Sequence, residues 1–318
     1  MKGRTGDQER IAMTAMHWQA WGQHVAIAAA YAACYEVTRH VTFSHWILTA
    51  GLRLACLLLL PMRYWPALAV GEGLPMVENA IVCLDKFGAA WAVSASVPMI
   101  VLCMGWVKPM LARWSLFTPD GRVRMGVLLS ATLGCAVLTA LKTVLTLVTA
   151  LLSSPDAWPD LSVPLYFWAY VLGAYLGALT LTPVVLALRE RMQVSGRVSL
   201  ASLWRSPLLR DTMGWALPAL AALAWMALAT QVDAIRQVAR LLMLLPVLML
   251  AWRHGWHGTA VGGMGASIAM AATSQVLLDP DMIHCQVILS LVVSGALMVG
   301  ARAAQRLPYP TAPATPER

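Results

Sequence analysis

The sequence predicts an all-α, polytopic transmembrane helical bundle with eight to ten spans, and three observations predict it. First, 59% of the 318 residues are hydrophobic and only 12% are charged, against about 25% charged in an average soluble domain. Second, several apolar runs approach the ~20 residues that a helix needs to cross a ~30 Å hydrocarbon core. Third, Lys and Arg collect in the short segments between those runs, the pattern of cytoplasmic loops. The mean hydropathy of +0.66 agrees. The same placement accounts for the net charge of +8, so a lipid bilayer is the expected partner and nucleic acid is not.

Residues 1–20 form a polar lead in which Lys2, Arg4 and Arg10 stand against Asp7 and Glu9. No short apolar core precedes a small-residue cleavage site, so the first span is expected to be kept as an anchor. That span runs from about Trp21 to Val41, with Glu36, Arg39 and His40 near its far end. Glu36 and His40 are four apart and share one helical face. A second span covers about His45 to Met62.

The stretch Gly51–Gly71, GLRLACLLLLPMRYWPALAVG, is the centre of the chain. It is one apolar run that holds an arginine, Arg53, and is interrupted by Pro61. The region 64–85 that follows contains Glu72, Glu78 and Asp85. It reads either as a weak, cavity-lining span or as a re-entrant segment, which membranes tolerate only where protein shields it.

Further spans are expected at about Phe87–Val107, Met125–Leu152, Pro164–Leu188, Met213–Thr230, Val238–Trp252, Gly258–Leu277 and Ile283–Ala301. Residues 21–301 are thus one integral membrane domain, and 302–318 a short tail. Loops 108–124, 189–211 and 253–257 are basic, whereas 153–163 and 278–284 are acidic. The positive-inside rule places the first set and the tail in the cytoplasm. If the N-terminus is also inside, 64–85 must cross, which gives ten spans. If it does not cross, the N-terminus is outside and the spans number nine.

Charges within apolar runs are the first candidates for a site. A charge at the centre of a membrane helix costs at least ~2.5–3.5 kcal/mol, so it seeks a partner or a watery cavity. Arg53 is either an arginine that snorkels to the interface, or a buried cation that pairs with Glu72 or Glu36 or binds an anion. Lys142 lies near the middle of its run, where snorkelling is harder. Glu72 and Glu78 are plausible counter-charges for either cation.

Small residues are the second set. Gly173 and Gly177, like Gly258 and Gly262, have the GxxxG spacing that lets helix backbones approach. Packing within the bundle is the first reading and a homodimer face the alternative. Thr182 and Pro183 mark a kink with freed carbonyls. His254 and His257 lack a third ligand, so no metal is expected. No nucleophile triad, phosphate loop, dinucleotide fingerprint or zinc motif is readable, so neither a catalytic residue nor a cofactor is expected. The six cysteines are scattered through apolar runs and read as buried hydrophobes.

Three stretches in order resemble a known family. Gly51–Glu72, with Gly51, Arg63, Tyr64, Trp65, Pro66 and Gly71, resembles the early signature of the first type of bacterial membrane-associated sensor domain, the MASE family. Gly173–Leu188 resembles its Gly-rich helix with a Thr-Pro step. Leu244–Ala272, with Pro246, Trp252, Gly255, Trp256 and Gly258, resembles its late P-x-x-x-L-A-W-x-x-G-W-x-G element. Within the family, the likeness is greatest to the membrane half of the histidine kinase that controls hexose-phosphate uptake.

The resemblance implies an inner-membrane sensory module, and its implied partner is a histidine kinase, a cyclase or a transporter-like receptor. No phosphoacceptor or cyclase motif is readable after Ala301, so kinase activity does not carry over. The rival readings are a small-solute transporter, or a substrate-binding subunit of one, and a membrane enzyme acting on lipid. Intramembrane charges and a proline-broken helix suit transport equally well, but no two-fold internal repeat is visible.

Overall fold

The structure is a computed structural model and describes residues 3–42, 46–153, 158, 161–195, 204, 206–274 and 280–306. Its described elements are α1 (Gly3–His40), α2 (Leu48–Leu59), α3 (Trp65–Val82), α4 (Leu84–Phe87), α5 (Ala89–Ser96), α6 (Met99–Arg113), α7 (Met125–Ser153), α8 (Val163–Ser195), α9 (Pro207–Asp211), α10 (Leu217–Ala229), α11 (Asp233–Leu242), α12 (Leu244–Ala272) and α13 (Pro280–Arg306). Among the described residues there is no strand; Phe117 and Val123 form an isolated bridge. In lipid a helix satisfies its backbone internally, which is why so apolar a chain adopts one after another.

Six helical stretches are long and apolar enough to cross a membrane, and only 22–56% of each apolar window is buried within the protein. Their outer faces carry large exposed hydrophobics such as Trp168, Trp225 and Leu291. One of the six, Asp233–Ala272, is 40 residues long. It is broken at Gly255 (φ 61°, ψ −142°), a conformation that only glycine adopts without strain. The region 64–85 is mostly the 18-residue helix α3, which is ~27 Å long at 1.5 Å per residue.

Prolines decide where helices stop. Pro61 is extended (φ −55°, ψ 143°) and ends α2; a single 3-10 turn, Met62–Tyr64, then leads into α3 with Pro66 in its first turn. There a missing N–H costs nothing, because first-turn donors have no helical partner. Val97, before Pro98, is extended (ψ 117°) and separates α5 from α6, as the steric demand of a following proline requires. Several helices outlast their apolar runs: α6 continues to Arg113, α8 to Ser195 and α13 to Arg306. Only residues 230–232 separate α10 from α11, which begins at Asp233, and Arg236 pairs with that aspartate at 2.7 Å.

The chain forms two compact units, Met1–Arg113 with Ala131–Ala178 and Trp114–Ser130 with Leu179–Arg318. In the first, glycine sets the spacing. A β-carbon on Gly71 of α3 would come within 2.5 Å of the Ala28 carbonyl oxygen of α1, and one on Gly177 of α8 would collide with the Ile47 carbonyl oxygen. The Ile47 N–H donates to the Gly173 carbonyl at 2.9 Å. Gly173 and Gly177 thus seat the entry to α2 within this chain.

In the second unit, the halves of α12 fold back at Gly255. A β-carbon on Gly258 would strike the Leu250 carbonyl, and one on Gly262 would press on Val247 at 3.1 Å. Trp256 is buried, whereas Trp252 is 87% exposed.

Replacing Gly177 with alanine should destabilise the first unit by about 1–3 kcal/mol, the usual cost of overpacking. Gly105→Ala, where the new methyl meets nothing within 4 Å, should leave stability unchanged or slightly raised. Thermal melts of the two variants in neutral detergent check this.

Candidate functional site

Arg53 sits one and a half turns into α2, and Glu72 lies near the middle of α3. Both are buried, at 4% and 0% exposure. The Arg53 Nη2 donates to Glu72 Oε1 at 2.7 Å, and its Nε lies 3.2 Å from both carboxylate oxygens. Glu72 also accepts from the hydroxyl of Tyr31 on α1 at 3.2 Å. One carboxylate therefore joins three helices. The guanidinium uses one edge of its fork for this, and its Nη1, on the other edge, is buried with no hydrogen-bond partner.

Beside this junction is a cavity of about 320 Å³, lined by Arg53, Lys142, Tyr35, Thr139, Thr143 and Tyr170 among others. Lys142 of α7 is half-buried, and its Nζ makes one long contact of 3.4 Å to the Ala95 carbonyl. That carbonyl lies in the last turn of α5, where the helix stops before Pro98 and leaves it without a helical donor. Thr139 and Thr143 return their hydroxyl protons to the carbonyls of Cys135 and Thr139. Ser94 and Thr146 meet at 2.8 Å and bind α5 to α7.

The remaining sequence candidates lie elsewhere in the same unit. Glu36 pairs with Arg39 at 3.1 Å and His40 at 3.7 Å on α1. Arg39 also donates to Asn79 of α3 at 2.9 Å. Glu78 is exposed and, with Glu36, lines a shallow groove between α1 and α3; it makes no ion pair among the described residues. The R-Y-W-P element is an anchor. Tyr64 donates to Gln23 at 2.9 Å, Arg63 stacks over Tyr64 at 4.7 Å, and the buried Trp65 donates to the Leu60 carbonyl at 3.3 Å.

The second unit holds its own polar cluster. Asp211 accepts from Arg253 at 2.9 Å and lies 2.8 Å from His254, while His257 lies 3.5 Å from Glu190. Among the described residues no three His, Cys, Asp or Glu gather as metal ligands. Thr182 is fully buried, and Pro183 lies inside α8.

Two residues escaped the sequence reading. Tyr31 looks like one more aromatic of the first span, yet Tyr31 and Tyr35 are four apart and form one buried face. Arg240 is 1% exposed, and its Nη2 donates to the Thr273 carbonyl at 2.8 Å. An arginine within an apolar run was the available signal, the same one that marks Arg53.

Removing one partner of a buried ion pair costs about 3–5 kcal/mol, whereas replacing both by apolar groups is often neutral. Arg53→Met and Glu72→Met should each lower the melting temperature sharply. The double variant should recover most of that loss. A double-mutant cycle of detergent melts reads the coupling.

No curated protein and no solved structure matches the chain. One family model, MASE1, matches residues 22–307. The match covers the ion-paired junction, the cavity and the Gly255 break, and MASE1 is a membrane-associated sensor domain rather than a catalytic one. With six apolar helices of membrane-crossing length, this multi-pass bacterial membrane protein belongs to the MASE1 family.

Proposed function

We propose that the chain is an inner-membrane sensory module that binds a small ligand, shifts the packing of α1, α2 and α3, and hands that change to a signalling partner. The observation that carries this reading is the MASE1 match across residues 22–307. The geometry supports it: one buried carboxylate holds three helices, next to a cavity lined by the same arginine. A ligand that prefers one packing shifts the population toward it.

The basic loops orient the bundle with its C-terminus in the cytoplasm. Ten passes then follow if α3 crosses, with the two halves of α12 counted separately. In that orientation Thr42, Ile47 and Tyr170 lie at or near the outer ends of their helices, with Arg53 and Lys142 nearer the middle, so the cavity lies in the outer half of the membrane. The motif likeness to the hexose-phosphate-uptake kinase makes a histidine kinase the first partner to look for.

Affinity capture of the tagged full chain in mild detergent, followed by mass spectrometry, should recover a histidine kinase, a cyclase or a transporter-like receptor. A second copy of the chain would appear as a dimer on native gels. Vesicles containing only this chain should show no solute flux. A chain recovered alone together with measurable flux would overturn the sensory reading in favour of transport.

A further inference from the structure

We infer that the cavity beside the Arg53–Glu72 pair is a binding site for a small monovalent organic anion, a carboxylate carried on a short apolar body. The argument begins with charge. The charged residues lining the cavity, among those described, are Arg53 and Lys142. Glu72 neutralises Arg53 at 2.7 Å, and Lys142 reaches only a backbone carbonyl at 3.4 Å. Two cations against one carboxylate leave a single positive charge to be matched.

Donor geometry gives the second argument. Arg53 spends Nε and Nη2 on Glu72, while Nη1 is buried and unpartnered. A buried donor without an acceptor is destabilising, and more so when it is charged. Such a cost persists where another requirement fixes the group; Nη1 presents almost no surface to a water-sized probe, so a ligand oxygen reaches it with a small shift of the lining. The Glu72 pair holds the guanidinium in place, so the site is preorganised before any anion arrives.

Shape and lining complete the class. About 320 Å³ is at the lower end of small-molecule sites. Met76, Met99 and Ile47 supply apolar wall, and Tyr170 brings a phenol to the same lining. Methionine adapts its shape to irregular ligands. An apolar wall with one net positive charge suits a monoanion with an apolar body better than a multiply charged, fully polar one. As the input of the sensory module, the site rests on that reading for its role, though not for its existence.

The test uses the purified full chain in neutral detergent at fixed sodium chloride. Thermal melts and calorimetric titration are run with sodium benzoate and sodium isobutyrate. Benzamide and isobutyramide serve as neutral isosteres, and inorganic phosphate as the multiply charged anion. The carboxylates should raise the melting midpoint and the amides should not.

Lys142→Gln should weaken carboxylate binding at least about tenfold, equivalent to 1.4 kcal/mol. Tyr170→Phe, which is nearly isosteric and keeps the site testable if the lysine variant fails to fold, should weaken it about threefold to tenfold. Carboxylate shifts that are absent, equal to those of the amides, smaller than those of phosphate, or unchanged in both variants would overturn the proposal. Failure here with a kinase still recovered by affinity capture removes the site and leaves the sensory reading standing. Binding with no recovered partner and with solute flux removes the sensory reading and leaves the site.

Discussion

A guanidinium and a carboxylate 2.7 Å apart, both out of reach of solvent, constrain the first unit more than any other contact. Neither charge is tolerable alone at that depth, because desolvating a single ion costs several kcal/mol that only a well-placed partner returns. The pair therefore fixes where α2 meets α3. Tyr31 brings α1 to the same carboxylate. Apolar packing cannot supply this register in lipid, since acyl chains are as good a solvent for leucine as another helix is. A directional, charge-assisted contact can.

The rest of the first unit makes that contact reachable. Gly71 lets α3 approach the backbone of α1 one turn above the R-Y-W-P anchor, and Gly177 lets α8 receive the entry to α2. Proline then opens what glycine closes. The break at Val97–Pro98 frees the Ala95 carbonyl, which the Lys142 ammonium reaches at 3.4 Å. The second unit uses the same means for a different end. Gly255 folds α12 on itself, and Gly258 and Gly262 let the halves touch. Arg253 and His254 then meet Asp211 beside the wide π turn Thr212–Ala216.

Much of this was legible in the sequence, for reasons that differ between residues. A charge inside an apolar run is conspicuous because lipid punishes it, so Arg53 stands out in the sequence, but its partner does not: Glu72, Glu36, an anion and interfacial snorkelling all fit, and the structure pairs it with Glu72. The GxxxG pairs were legible as close approaches, but not their targets, since spacing does not say which backbone will come near. Region 64–85 was ambiguous because Glu72, Glu78 and Asp85 dilute its apolarity. It is helical because Glu72 is paired inside and Glu78 lies on the exposed side. Hydropathy puts span ends at Val107, Leu188 and Ala301, short of the helix ends at Arg113, Ser195 and Arg306, because hydropathy reports lipid contact and not helicity. Tyr31 was illegible: a tyrosine in a first span has the same signature whether it faces headgroups or donates to a buried carboxylate.

The central claim is that the Glu72 carboxylate clasps α1, α2 and α3 together. Hydrogen–deuterium exchange of the full chain in lipid nanodiscs, comparing the natural sequence with Glu72→Gln, tests it most directly. The account predicts faster exchange in α1, α2 and α3 around Tyr31, Arg53 and residue 72, with the α12 hairpin unchanged. Equal protection of all three helices in the two proteins would contradict it.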